Sequence, residues 1–132
     1  MSNDKSRTLR RLASIMGASG VGIGIFGAHT MKEMLAEKPG ASDSWTAAVI
    51  YQMLHALALL SLSAIDVKKI EPPPSPNSWS GGKVLAAGTA MFSGSIYLAC
   101  MGVVSKQLVA PLTPVGGLTL ITGWAMVGMG KI

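Results

Sequence analysis

The sequence predicts an all-α fold, a four-helix transmembrane bundle with its N and C termini on the same, inner face. Three observations carry that prediction. Charged residues are only 13% of the 132 and hydrophobic ones 49%, whereas a soluble domain carries roughly a quarter charged residues. Mean hydropathy is +0.46. The apolar residues fall into four blocks, each close to the ~20 residues that a helix needs to cross about 30 Å of hydrocarbon. At 13.6 kDa the chain is a single membrane domain.

The blocks run from Leu12 to Met31, Ser44 to Ile65, Gly82 to Val104 and Pro114 to Gly130. None contains Asp, Glu or Arg, and Lys83 sits at a block end, where its ammonium can reach the interface. Residues Met1 to Arg11 read as a retained flank, because they run into the first block without an obvious cleavage site. Lys38-Pro39-Gly40 breaks the chain after the first block, and Asp43 or Ser44 is suited to cap the second. The run Glu71-Pro72-Pro73-Pro74-Ser75-Pro76 forbids helix, so 66–81 reads as a proline-rich inside loop in extended form. Thr113 before Pro114 reads as the N-cap of the fourth span. Trp45 and Trp79 fall where interfacial rings are expected.

Orientation follows from the cations. Lys5, Arg7, Arg10 and Arg11 in the tail, Lys68, Lys69 and Lys83 around the proline loop, and Lys131 share one side, against Lys32, Lys38 and Lys106 on the other. The positive-inside bias places the termini and the proline loop in the cytoplasm or an equivalent such as the mitochondrial matrix. The net charge of +5 does not suggest nucleic acid, because the basic residues flank apolar blocks and do not interleave with aromatics. Cys100, the single cysteine, excludes an intrachain disulfide.

Helices gain little from hydrophobic burial in lipid, so association rests on close backbone approach and interhelical hydrogen bonds. Candidate packing stripes are Gly17, Gly20, Gly24 and Ala28 in the first span, and Ala86, Ala90 and Gly94 in the third. The fourth offers Gly116, Gly117 and Gly123. Such stripes serve packing within this chain or onto another subunit. The run Gly22-Ile23-Gly24-Ile25-Phe26-Gly27 matches a dinucleotide fingerprint letter for letter, but it lies inside a lipid-length apolar block without the strand or the acidic partner that site requires.

Intramembrane polar residues are costly, so a function would show there. Tyr51, Gln52 and His55 share a face of the second helix, with His55 near mid-bilayer. They fit either a proton relay or ligand site, or interhelical hydrogen bonding, and the absence of acidic residues from every span favours bonding. His29, at the end of the first helix, is placed to cap terminal carbonyls. Joint haem ligation by His29 and His55 is disfavoured by an axial offset of about 13 Å. The nine methionines are dispersed as gap-fillers, not as a soft-metal site. With no Ser-His-acid set, paired carboxylates or phosphate loop, neither enzymatic activity nor a cofactor or metal site is expected.

Several ordered motifs resemble a known family. They are Arg10-Arg11-Leu12, Phe26-Gly27-Ala28-His29, Tyr51-Gln52 with His55-Ala56-Leu57-Ala58-Leu59-Leu60, Phe92-Ser93-Gly94-Ser95-Ile96-Tyr97, and Pro111 to Pro114 with Gly116-Gly117 and Gly123-Trp124. Together they resemble the small four-span family that includes bacterial YgdD and animal transmembrane protein 256. The resemblance spans nearly the whole chain and implies a four-helix protein of the bacterial or, in eukaryotes, the mitochondrial inner membrane; the mitochondrial inner membrane is the location favoured here, with the bacterial inner membrane and the thylakoid as the other options. It implies no reaction. The longer proline-rich middle loop departs from the family pattern.

Two functions are carried forward. One is a non-catalytic accessory or structural subunit of an energy-transducing, respiratory-type membrane complex, partnered by the bilayer and other membrane subunits. The other is a small transporter or proton-conducting bundle using Tyr51, Gln52 and His55.

Overall fold

The computed structural model describes residues 2–65 and 79–132. Lys68, Lys69 and the proline run at 71–76 lie outside the described residues. The described chain forms helices α1 (Ser2–Ala28), α2 (Lys32–Glu37), α3 (Ala41–Ser63), α4 (Gly81–Met101), α5 (Lys106–Val109) and α6 (Leu112–Gly128). Among the described residues four stretches are long and apolar enough to cross a membrane: Asp4–Ala28, Ala41–Ser63, Gly81–Met101, and Lys106–Gly128, which joins α5 and α6.

The spans pack in chain order. α3 and α4 form the central pair, α1 packs on α3 and α6 on α4, while α1 and α6 make at most marginal contact with each other. Ser6 Oγ donates to the Ser63 carbonyl at 2.5 Å and the Gly81 amide donates to the Lys131 carbonyl at 2.6 Å. The start of α1, the end of α3, the start of α4 and residue 131 therefore meet at one end of the bundle. Leu9, Leu62, Leu85 and Ile132 form part of one apolar cluster toward that end, while Met31, Leu35, Trp45 and Cys100 belong to another toward the opposite end.

Helix bounds depart from the sequence reading for local reasons. The basic flank is helical: α1 begins at Ser2, and its first turns bury Leu9 and Ala13 while Arg7, Arg10 and Arg11 stay exposed. At about 1.5 Å per residue its 27 residues exceed the hydrocarbon thickness, which leaves these arginines room beyond it. α3 begins at Ala41, not Ser44, because Gly40 turns the chain with φ +73°. That N-cap makes no side-chain hydrogen bond, so Asp43 lies in the first turn, where a carboxylate complements the helix dipole, and neither it nor Ser44 is the cap. α6 begins at Leu112 with Pro111 as N-cap, so Thr113 is not the cap; Pro114 is accommodated because first-turn amides need no intrahelical partner.

The ends of α4 follow ordinary capping chemistry. Ser80 Oγ accepts from the Lys83 amide, and Gly102 ends the helix in the left-handed region at φ +68°. Lys38 Nζ donates to the Cys100 carbonyl at 2.9 Å, bringing positive charge to the negative end of the helix dipole. Trp79 is exposed beside the start of α4, but Trp45 is only 4% exposed and faces the bundle, not the headgroups. Its indole N–H donates to the Ile23 carbonyl at 3.2 Å.

Candidate functional site

The polar interior is built around one side chain. Gln52, one helical turn beyond Ala48 on the buried face of α3, reaches both neighbouring spans. Its Nε2 donates to the Met16 carbonyl at 2.9 Å and to Ser19 Oγ at 2.8 Å on α1. Its Oε1 accepts from the Tyr97 hydroxyl of α4 at 2.9 Å. Tyr97 packs its ring against Trp45, with centroids 4.9 Å apart. One carboxamide thus joins three helices, and Ser93 adds a second tie by donating to the Ala48 carbonyl at 2.8 Å.

His55 lies one turn further along α3 and faces α6. Trp124 Nε1 donates to its Nε2 at 3.2 Å, and its Nδ1 lies 2.6 Å from the Tyr51 carbonyl. An indole N–H only donates, so Nε2 must carry the lone pair, and Nδ1 must carry the proton given to the carbonyl. These bonds define a neutral imidazole of fixed tautomer. Tyr51 itself is half exposed and packs beside Phe92, with ring centroids 4.7 Å apart. Gln52 and His55 are therefore buried but engaged with different helices, while Tyr51 borders the outer surface.

Burial of polar atoms is matched by bonding throughout: among the described residues no buried side-chain nitrogen or oxygen lacks a hydrogen-bond partner. His29 lies outside this network. It is exposed beyond α1, and its imidazole caps no carbonyl among the described residues, because the turn there is closed by backbone bonds such as the Met31 amide to the Phe26 carbonyl. Among the described residues no three His, Cys, Asp or Glu side chains converge as they would around a metal ion.

The small residues divide between inner and outer surfaces. A Cβ on Gly20 would meet Met53 Sδ at 2.7 Å, and one on Gly24 would meet Val49 at 3.4 Å. Gly27 completes this row under the Trp45 indole; its i+7 spacing from Gly20 was the available signal for it. Between α4 and α6, a Cβ on Gly116 would lie 2.5 Å from the Phe92 nitrogen, and one on Gly123 would lie 3.0 Å from the Leu85 nitrogen. Gly88 makes a similar approach to Leu120, and Gly117 is in ordinary contact with Phe92 at 3.9 Å. By contrast, nothing lies within 4 Å of a Cβ built on Gly17 or Gly94, and Ala28 and Ala90 are exposed. Gly22 and Gly128 share that open position.

Fold and interior together define a small α-helical integral membrane protein whose buried polar groups join its helices. The chain belongs to the family described as "Protein of unknown function (DUF423)", which it matches over residues 23–117. It is 36% identical over 131 residues to the UPF0382 inner membrane protein YgdD of Escherichia coli (strain K12), covering 96% of this chain and 91% of that one. A UPF0382 membrane protein of Schizosaccharomyces pombe is 34% identical over 121 residues, covering 89% and 96% of the two chains. Another, from Staphylococcus haemolyticus, is 35% identical over 120 residues, covering 88% and 91%. The resemblance seen in the motifs is thus a family membership. No solved structure matches the chain.

Proposed function

We propose that the protein is a non-catalytic accessory subunit, held by its outer helix faces in a larger energy-transducing membrane assembly. The observation that carries this reading is the open position of Gly17, Gly22 and Gly94, where a Cβ would find no other part of the described chain within 4 Å. Glycine in a helix interior costs about 1 kcal/mol relative to alanine in water. It offers lipid no compensating contact, but it lets another helix backbone approach closely. The flanking helices have surface for such a partner: only 17% of the apolar window of the first span and 22% of that of the fourth are buried.

The closed hydrogen bonds of Gln52 and His55 favour this reading over proton conduction, since both side chains already hold helices together. YgdD is named as an inner membrane protein, and a bacterial inner membrane is energy-transducing. In a eukaryotic cell the mitochondrial inner membrane is the equivalent. Positive-inside bias orients the meeting end of α1, α3 and α4, with residue 131, toward the cytoplasm or matrix.

Gentle extraction of native membranes, followed by separation in a native gel, tests the proposal. The expected result is that the chain migrates well above its own mass, together with a reproducible set of other membrane proteins. Migration only as a free monomer under the mildest conditions would reject it.

A further inference from the structure

A cavity of about 230 Å³ lies at the end of the bundle opposite residue 131, between the start of α3, the end of α4 and the short α5. Its polar lining includes Lys38, Lys106, Ser44 and Thr113, and Ile96, Ala99 and Val109 supply apolar wall. Among the described residues neither lysine is paired with a carboxylate. Lys38 uses one of its three N–H donors on the Cys100 carbonyl, which holds its ammonium at the cavity. Asp43 lies in the nearby first turn of α3 but does not line the cavity.

Two ammonium groups with no carboxylate partner among the described residues, one of them shared with the carbonyl end of α4, stand over an apolar wall and call for an anion with an apolar continuation. The cavity opens where α3 begins and α4 ends, which is the headgroup level of a bilayer spanned by those helices. On the cytoplasmic or matrix side of membranes, basic pockets between helices bind anionic headgroups by this combination; the positive-inside bias sets this cavity on the other side, so its occupant is drawn from the outer leaflet. We propose that the cavity is a binding site for a phosphate-bearing anion, with Lys38 and Lys106 as its cationic ligands and the phosphodiester of an anionic phospholipid as the occupant that its apolar wall favours. The site is independent of the accessory-subunit reading, because it needs no partner protein.

The test uses the full chain in mild detergent, with two probes: phosphatidylglycerol, read by native mass spectrometry, and inorganic phosphate, read by thermal shift. Lys106→Gln is the main variant, since Lys106 makes no side-chain hydrogen bond among the described residues and its loss spares the α4 terminus that Lys38 holds. Lys32→Gln is the control, because Lys32 is exposed toward the same end but lines a different cavity. Retention of phosphatidylglycerol over phosphatidylcholine should fall about fivefold in Lys106→Gln, the factor expected for one lysine at an anionic headgroup, and stay unchanged in Lys32→Gln. Stabilisation by phosphate alone that is lost in Lys106→Gln would also uphold the site, with a soluble anion as its occupant. Responses to both probes that ignore Lys106→Gln, or that fall equally in Lys32→Gln, would overturn it.

Discussion

The Tyr97 hydroxyl donates to Gln52 Oε1 at 2.9 Å, while the amide end of the same Gln52 side chain is bonded to Met16 and Ser19 of another helix. Removing the phenol oxygen leaves a buried carbonyl unsatisfied without emptying the space beneath the Trp45 ring. Tyr97→Phe should therefore destabilise the bundle by about 0.6 kcal/mol and at most about 1.7, the range for interhelical bonds in membranes. Gln52→Ala should cost more, because it cuts ties to both neighbouring spans. A double-mutant cycle on reversible unfolding in mixed micelles measures the coupling; strictly additive effects would show that the bond contributes nothing.

His55 should be a neutral imidazole protonated at Nδ1, because the Trp124 indole occupies Nε2 as a donor. Nitrogen chemical shifts of selectively labelled protein in bilayers near neutral pH read this directly. Trp124→Phe should free the ring, and the Nε2 resonance should move. An imidazolium, or a proton on Nε2 in the parent protein, would contradict the assignment.

Glycines of inner and outer surfaces should respond oppositely. Gly116→Ala places a methyl 2.5 Å from the Phe92 nitrogen, and backbone cannot yield as a flexible side chain does. Separation of α4 and α6 should cost about 1–3 kcal/mol. Gly94→Ala meets nothing within 4 Å and should leave the stability of the isolated protein unchanged or slightly raised. Thermal unfolding of the two variants in the same detergent distinguishes them.

Gly102 ends α4 at φ +68°, a conformation costing other residues about 1–2 kcal/mol. Gly102→Ala should lower stability by that amount and loosen the turn beside Lys38. Hydrogen exchange of amides at the end of α4 should quicken; unchanged protection would show that the turn tolerates a side chain.

The four spans were legible because lipid thickness fixes a block length that apolar runs reveal directly. Their ends were less so, since the left-handed turn at Gly40 and the helical state of the basic flank depend on packing by Leu9 and Ala13 as much as on local propensity. The three- and four-residue spacing of Tyr51, Gln52 and His55 marked one side of α3. Their partners were not visible, because Ser19 and Trp124 lie 33 and 69 residues away in sequence. In α1 and α4 the glycines offer several stripes at once. Helix rotation chooses among them, turning Gly20, Gly24 and Gly27 inward in α1 and leaving Gly17 and Gly94 outside. Spacing alone does not encode that rotation.

The outward position of Gly94 gives the most direct test of the assembly claim. With Cys100→Ala removing the one native thiol, a Gly94→Cys variant can carry a photoreactive maleimide in native membranes. A discrete adduct to a second membrane polypeptide, lost when the same protein is reconstituted alone in liposomes, is the predicted result. Label found only on lipid or on this chain, with no protein adduct from native membranes, would contradict the account.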